Sequence, residues 1–410
     1  MKAALAGIRV LDFASVIMGP LTSQHLGDMG ADVIKVEAPE GDNTRKLGPR
    51  RSDKMAAVYL NLNRNKRSLV LDLKKPEGRV VLERLVAESD VLIHSNRGPA
   101  AAKLGMTYVD LSSINPRLIY CHVKGFGDGG TYSGQSAYDD IVQALSGLAM
   151  LQTAVAGEPR YVPTTLIDKI CGLEAAYAIA LALFHRERTG EGQEIEVAMF
   201  ETMAAFNTYE HLWGHVFDPP IAPMGYDSIR AGTRRPYKTR DGYLAFLPYN
   251  DVHWRRFFDR IGRSDILDDP RFATQDARLA NHEAVFGFLR AEMLRRTNAE
   301  WIETFRGSDI PMAVVNTLED LPEDPHLVSA GFWRFAEHPT EGRLRMAGMP
   351  FAMSATPGTV RRLAPGLGEH TVEVLREMAF SEDEIAALLD GEAVRTALEQ
   401  ERRPAASPIA

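Results

Sequence analysis

The sequence predicts an α/β fold: a large doubly wound parallel sheet, Rossmann-like, accompanied by a smaller α+β domain. Two observations carry the prediction. Through about residue 216, short apolar segments alternate with amphipathic ones, the pattern of parallel strands joined by right-handed helical crossovers. The alternation then stops at the proline-rich DPPIAPMGYDS (218–228), and a hairpin and further helices follow with apolar residues of their own. At 410 residues the chain is long enough for two cores.

In order, GIRVLDF (7–13) reads as a strand, and Gly19-Pro20 ends it before a helix through LTSQHLGDMG (21–30). Pro20 suits a first helical turn, where its missing N–H costs nothing. ADVIKVEAP (31–39) is the next strand. SLVLDL (68–73), a helix from Pro76 through EGRVVLERLVAES, and DVLIHS (90–95) make a second unit. RLIYCHVKGFG (117–127) is another buried strand and AYDDIVQALSGLAML (137–151) another helix. VPTTLIDKICGLEAAYAIALALFHRERTGEG (162–192) begins extended and ends as a helix closed by GEG. Strand QEIEVAM (193–199) and helix FETMAAFNTYEHLWGH (200–215) follow.

The second domain opens with a hairpin whose arms, Tyr237–Thr239 and Tyr243–Pro248, flank the turn Arg240-Asp241-Gly242. Helices follow at 251–262, 279–296 and 298–309. The strand RLRMAGMPF (343–351) and helices at 367–378 and 381–389 come last. The expected division is 1–216, 217–335 and 336–410.

Composition sets limits on function. With 45% hydrophobic and 25% charged residues, the chain is ordinary for a soluble globular protein. A net charge of −8 leaves no basic excess to neutralise phosphates, so no nucleic-acid partner is expected. Two cysteines, Cys121 and Cys171, give neither a disulfide framework nor metal spacing, which points to a reducing cytoplasm. No apolar run reaches spanning length and the first residues lack a secretory pattern, so no membrane partner is expected.

Asp168 sits where the extended VPTT meets the helix. Such a carboxylate is commonly a cap, accepting from the open N–H groups of the first turn. The same position would surround an ionised carboxylate with positive potential, and such a group is a competent nucleophile toward an activated acyl carbon. Gly172, one turn on, would let a bulky ligand approach the backbone. Periodicity leaves both readings open.

GFGDGG (125–130) matches a dinucleotide-binding fingerprint, but TYSGQS separates it from the next helix and no acid stands about twenty residues on. A glycine-rich loop over a strand end is the better reading, with no nicotinamide. Basic residues cluster in NRNKRS (63–68) and LDLKKPEG (71–78), and Arg97 ends another predicted strand. Singly these are solvated turns. Together, at strand carboxyl ends, Lys74, Lys75 and Arg97 would suit a polyphosphate ligand. His94 and His122 have no partners at metal-ligand spacing, and no metal is expected.

Taken in order, several stretches resemble the class III CoA-transferases, the CaiB/BaiF family. They are GIRVLDF…GP (7–20), LGDMGADVIKVEAPEGDNTR (26–45), NRNKRSLVLDLKKPEG (63–78), INPRLIYCHVKGFG (114–127), YDDIVQALSG (138–147), the run from Thr165 to Met199, and LGEH (367–370). The resemblance covers nearly the whole chain and is weakest between about 210 and 330. It implies a large domain built from both chain ends, an interlocked homodimer, and an enzyme moving CoA from an acyl-CoA donor, with succinyl-CoA the family-level expectation, to a free carboxylic acid. It implies Asp168 as the covalent nucleophile.

Matched by position with the formyl-CoA transferase branch, CoA would contact Ile17, Met18, Leu71, Asp72, Leu73, Lys74, Ser95, Asn96, Arg97, Lys103, Tyr138 and Asp139. Tyr138 and Asp139 would lie beside the thioester, with backbone N–H groups near the site holding the oxyanion. Three departures bear on the 3′-phosphate: Ala38 follows IKVE, SNRGP (95–99) keeps only Arg97 of the family's loop, and Ser136 replaces a lysine. Lys74, Lys103 and Arg45 are the cations left. The branch's glycine-rich covering loop has no counterpart in 220–330, which argues against oxalate or formyl specificity.

The family also holds α-methylacyl-CoA racemases, whose histidine falls at Tyr138. A tyrosine is a poor base at neutral pH. Transferase is therefore preferred over racemase; a non-catalytic acyl-CoA binder is the alternative outside catalysis. Arg230, Arg234 and Arg235 are candidates for a dicarboxylate's far carboxyl.

Overall fold

The computed structural model describes residues 3–226 and 235–397, so Arg230 and Arg234 lie outside the described residues. The chain divides into two compact units. One takes the residues up to Ala149, Tyr161–Asn207 and those from Gly331 on; the other takes Met150–Arg160 and Thr208–Ala330. The chain leaves the first unit at Asn207, inside the helix Met199–His211, rather than at 216.

The first unit is built on seven strands: β1 (Arg9–Phe13), β2 (Asp32–Glu37), β3 (Lys66–Leu71), β4 (Val91–His94), β5 (Ile119–Lys124), β6 (Gln193–Ala198) and a late β12 (Val394–Arg395). Their order is β12-β3-β2-β1-β4-β5-β6. All neighbours run parallel except β12, which pairs antiparallel with β3. The sheet is thus mostly parallel, as the alternation required.

Both faces are covered, and that is why these strands read as near-continuous apolar runs. On one face Leu11, Ile34, Leu69, Leu92 and Tyr120 pack with the helices Pro76–Ala87, Thr371–Glu377 and Glu382–Asp390. On the other, Val10, Val33, Val91, Ile119 and Cys121 pack with the helices Met18–Asp28 and Leu166–Thr189. The strand order reverses between β1 and β4, and such a switch point opens a crevice beyond the strand carboxyl ends.

Local differences have local causes. The stretch 137–151 forms two helices, Asp139–Leu145 and Leu148–Leu151, because Gly147 between them takes φ +83°. The third strand starts at Lys66, two residues early, because its first side chains are buried in ion pairs. β10 (Trp333–His338) pairs antiparallel with β11 (Gly342–Ala347), a hairpin read in the sequence only for its second arm.

The second unit carries a three-stranded antiparallel sheet of β7 (Tyr237–Lys238), β8 (Tyr243–Phe246) and β9 (Met312–Val314). Its core is aromatic, with Phe246, Trp254, Phe257, Phe258, Phe272, Trp301 and Phe305 buried together. No helix among the described residues is long and apolar enough to cross a membrane.

Candidate active site

Two cavities open at the carboxyl ends of the parallel strands. The first, about 480 Å3, is lined by Ile17 and Met18 after β1, Ser95–Arg97 after β4, His122 and Lys124 on β5, then Tyr138, Asp168 and Met199. The second, about 280 Å3, is lined by Glu37–Asn43 after β2 and by Leu71–Lys74 after β3. They share Ser15, Asn43 and Asn96, so they form one continuous crevice at the switch point. A larger cavity of about 830 Å3, around Met55, Glu337–Thr340 and Arg362–His370, holds neither Asp168 nor any residue predicted to touch CoA.

Most of the predicted contacts therefore meet at the crevice: Ile17, Met18, Leu71, Asp72, Leu73, Lys74, Ser95, Asn96, Arg97 and Tyr138. Two do not. Lys103 is exposed at the end of the short helix Gly98–Lys103 and lines neither cavity. Asp139 is 5% exposed and also lines neither.

Asp139 is instead the cap of the neighbouring helix. Its Oδ2 accepts from the N–H groups of Ile167 (2.7 Å) and Asp168 (3.1 Å), the second and third residues of Leu166–Thr189. Thr165, at the cap position itself, makes no side-chain capping bond, and the N–H of Leu166 donates to the Thr164 carbonyl. The open donors of this first turn are thus satisfied from elsewhere. Asp168 is not needed as a cap. Nor are these three N–H groups open to an oxyanion.

Asp168 is half-buried in the crevice wall. Burial, and then the Asp139 carboxylate, push its pKa up to about 6, while Lys169 works the other way. The carboxyl therefore sits above the usual carboxylate range, because burial and a neighbouring negative charge both favour the neutral form. At pH 7 it is still mostly ionised. Gly172 serves helix packing rather than ligand approach, because a Cβ there would lie 2.9 Å from the Met18 carbonyl oxygen. Thr22 donates to the Gly172 carbonyl across the same contact.

The NRNKRS cluster is neither solvated nor aimed at a ligand. Arg64, Lys66 and Arg67 are buried, paired with Asp28 (2.7 Å), Asp12 (2.9 Å) and Asp32 (2.6 Å). Arg45 is excluded from the 3′-phosphate too: it is fully buried against Glu37 (2.7 Å) and stacked on Tyr59. Lys75 turns away to the Gly391 carbonyl. Lys74 and Arg97 remain exposed on the crevice; Arg97 also reaches the Ser136 hydroxyl at 3.2 Å.

Family position singled out Ile17 in the loop Ser15–Ile17, but not the contacts that brace the loop. Val16 takes φ +72°, unusual for a β-branched residue, and gives its N–H to Asp42. Asp42 is held by Lys35 (2.9 Å), and the Ser15 N–H donates to Ser95 Oγ. The motif stretch 26–45 contained Lys35 and Asp42, but nothing local showed which loop they brace.

His94 and His122 stack at 4.2 Å between ring centroids. His122 bonds the Asn96 carbonyl through Nε2 (2.8 Å), and burial followed by Lys124 pushes its pKa down to about 4. GFGDGG is a loop after β5, with Gly127 and Asp128 N–H groups donating to Glu201 and Glu196, and it opens no helix. Among the described residues, no three His, Cys, Asp or Glu side chains group to hold a metal ion.

Residues 5–371 match CoA-transferase family III. The chain belongs to that family. It is 35% identical to the succinate–glutarate CoA-transferase of Agrobacterium fabrum, over 92% of this chain and 96% of that one. A formyl-CoA:oxalate CoA-transferase of Escherichia coli is 31% identical over 96% and 100% of the two chains. A CaiB/BaiF family protein from Brucella suis superposes with a TM-score of 0.81 at 30% identity, covering 92% of this chain and all of that one.

As a family III CoA-transferase, the protein is an enzyme that moves CoA between an acyl-CoA and a free carboxylate. Its fold presents to that chemistry an ionisable carboxylate, two exposed cations and a run of backbone at strand ends, all on one crevice.

Proposed function

We propose that Asp168 is the covalent nucleophile of this transferase. Its ionised oxygen attacks the donor thioester carbon and expels the CoA thiolate, leaving an acyl-aspartyl anhydride. The thiolate attacks the Asp168 carbonyl of the anhydride, releasing the donor acid and forming an aspartyl-CoA thioester. The acceptor carboxylate displaces the thiolate from that thioester, giving a second anhydride. The thiolate then takes the acceptor's acyl carbon and frees Asp168. One thioester is exchanged for another, with no net proton transfer.

The observation that carries this reading is that Asp168 lines the crevice while Asp139 does the capping. Burial favours the step as well, since a carboxylate with a pKa of about 6 is more basic than a free one yet ionised at neutral pH. CoA would lie along Ile17, Met18, Leu71–Lys74, Ser95–Arg97 and Tyr138, with Lys74 and Arg97 meeting its phosphates. Lys103 lines neither cavity and is assigned no contact.

Succinyl-CoA as donor and a short dicarboxylate as acceptor are proposed on the names of the relatives; the Agrobacterium fabrum enzyme is named for succinate and glutarate. Of the three candidate arginines, Arg235 lies in the second unit, exposed. Homodimerisation is proposed on the helix Leu166–Thr189, where Leu173, Tyr177, Leu181 and Phe184 form a stripe, each 50–63% exposed. A cytoplasmic setting suits two free, buried cysteines.

The test is trapping. Incubation with succinyl-CoA and hydroxylamine should leave a hydroxamate on the peptide holding residues 161–186. An unmodified peptide from enzyme that consumes the donor would rule out the covalent route, and α-deuterium uptake from solvent without acyl exchange would indicate a racemase.

A further inference from the structure

We propose that Asp139 is a positioning residue of the transfer reaction: its carboxylate clamps the first turn of the Asp168 helix and fixes a negative charge beside the nucleophile. The proposal rests on Asp168 being the nucleophile. It replaces the CoA contact that family position assigned to Asp139, because both oxygens are already taken by protein donors.

The geometry is closed on all sides. Oδ2 receives the N–H groups of Ile167 and Asp168, and Oδ1 receives the Gln143 side-chain amide at 2.6 Å. Gln143 in turn accepts the Val162 N–H at 2.8 Å, so the extended segment before the helix is held by the same pair. Only donors converge on Asp139, which is the coordination of an anion. Asp139 is the first residue of its own helix, Asp139–Leu145, so one carboxylate bridges two helix starts. Neither helix could turn independently without breaking these bonds. The Asp168 side chain is thereby aimed from a rigid element rather than from a loop.

The charge has a chemical consequence. The titratable groups around Asp168 are Tyr138 and Asp139 on the preceding helix start, and Lys169 and Cys171 on its own helix. His122, Lys124, Asp128 and Arg97 share the cavity. Of these, Asp139 acts with burial to raise the Asp168 pKa, and Lys169 opposes it while donating to Thr164. A more basic carboxylate attacks a thioester faster for the same geometry. The clamp and the tuning come from one side chain.

The test compares wild type and Asp139→Asn in the pH dependence of kcat/KM for succinyl-CoA, together with hydroxylamine trapping at Asp168. Asparagine can still accept at the helix start but carries no charge. The acid limb, near pH 6 in wild type, should move down by about one unit, with kcat at the plateau down about tenfold and KM within about twofold. An unmoved limb, or a raised KM with kcat unchanged, would overturn the proposal, the latter by restoring Asp139 as a CoA contact. Should Asp139→Asn fail to fold, Asp139→Glu keeps the charge and displaces the clamp: its limb should stay near the wild-type position while kcat falls, and a wild-type kcat would count against the clamp. The two readings separate cleanly. A wild-type enzyme without hydroxamate at Asp168 removes the nucleophile and the proposal with it, whereas a trapped wild type with an unmoved limb removes only the role of Asp139.

Discussion

Lys66 Nζ lies 2.9 Å from Asp12 Oδ2, and neither side chain is exposed. The pair is the centre of a brace beneath the crevice. Ser23 donates to the same Asp12 oxygen at 2.6 Å, and Lys35 approaches it to 4.0 Å. Lys66 also donates to the Pro20 carbonyl and Lys35 to that of Ala14, so the loop between them is tied at both ends. That loop carries Ser15–Ile17 into the crevice. Asp12→Ala should therefore leave two buried ammonium groups short of a partner and cost about 3–5 kcal/mol in denaturant unfolding.

The same pair sets a pH dependence. Burial alone would raise the Asp12 carboxyl, but Lys66 and Lys35 outweigh it and hold the group below its usual value. A carboxylate held low contributes stability above its unfolded pKa of about 4 and loses it as pH falls further. Asp12→Asn should accordingly flatten the stability curve between about pH 4 and its acid limit.

Asp168 carries the opposite sign. With its folded pKa raised to about 6, its buried charge costs stability above that pH, and the cost fades as pH falls toward 4. Asp168→Asn should be more stable than wild type by about 1–2 kcal/mol at pH 7, after allowance for its partial exposure. The gain should vanish near pH 4 and exchange activity should be lost. A variant no more stable at pH 7 would contradict the burial account of this carboxyl.

CoA affinity should depend on two cations and spare a third. Lys74→Ala and Arg97→Ala each remove a charged group exposed on the crevice, and each should weaken CoA binding about tenfold by calorimetry. Lys75→Ala should bind as wild type, because Lys75 is turned to Gly391.

Gly172→Ala distinguishes packing from ligand approach. The new methyl group would press on the Met18 carbonyl oxygen at 2.9 Å and on Leu21. The expected result is a loss of about 1–2 kcal/mol despite alanine's better helix propensity. Unchanged stability with a raised KM would return Gly172 to the ligand.

The exposed stripe on the Asp168 helix gives a test of assembly. Light scattering should find a dimer in wild type and a lighter species in the double variant Tyr177→Glu, Leu181→Arg, since two charges on an apolar interface leave it unable to close. A dimer in both would place the interface elsewhere.

Much of this was legible in the chain itself. Alternating apolar segments gave the parallel sheet because a strand buried on both faces has few other compositions. The order of motifs gave the family, and one carboxylate at an extended-to-helical joint drew attention to Asp168. Those signals are local or collinear, so a sequence displays them directly.

What the tertiary structure decided were the partners. Arg64, Lys66 and Arg67 read as solvated because their carboxylates stand 36, 54 and 35 residues away. Family position made Asp139 a ligand contact, and nothing local corrected it because the Ile167 N–H it accepts stands 28 residues later in the chain. Such pairs exist only once sheet register and helix packing have brought distant segments together. A hydrogen bond or ion pair depends on that approach to within a few ångströms, for which a linear sequence carries no local signal.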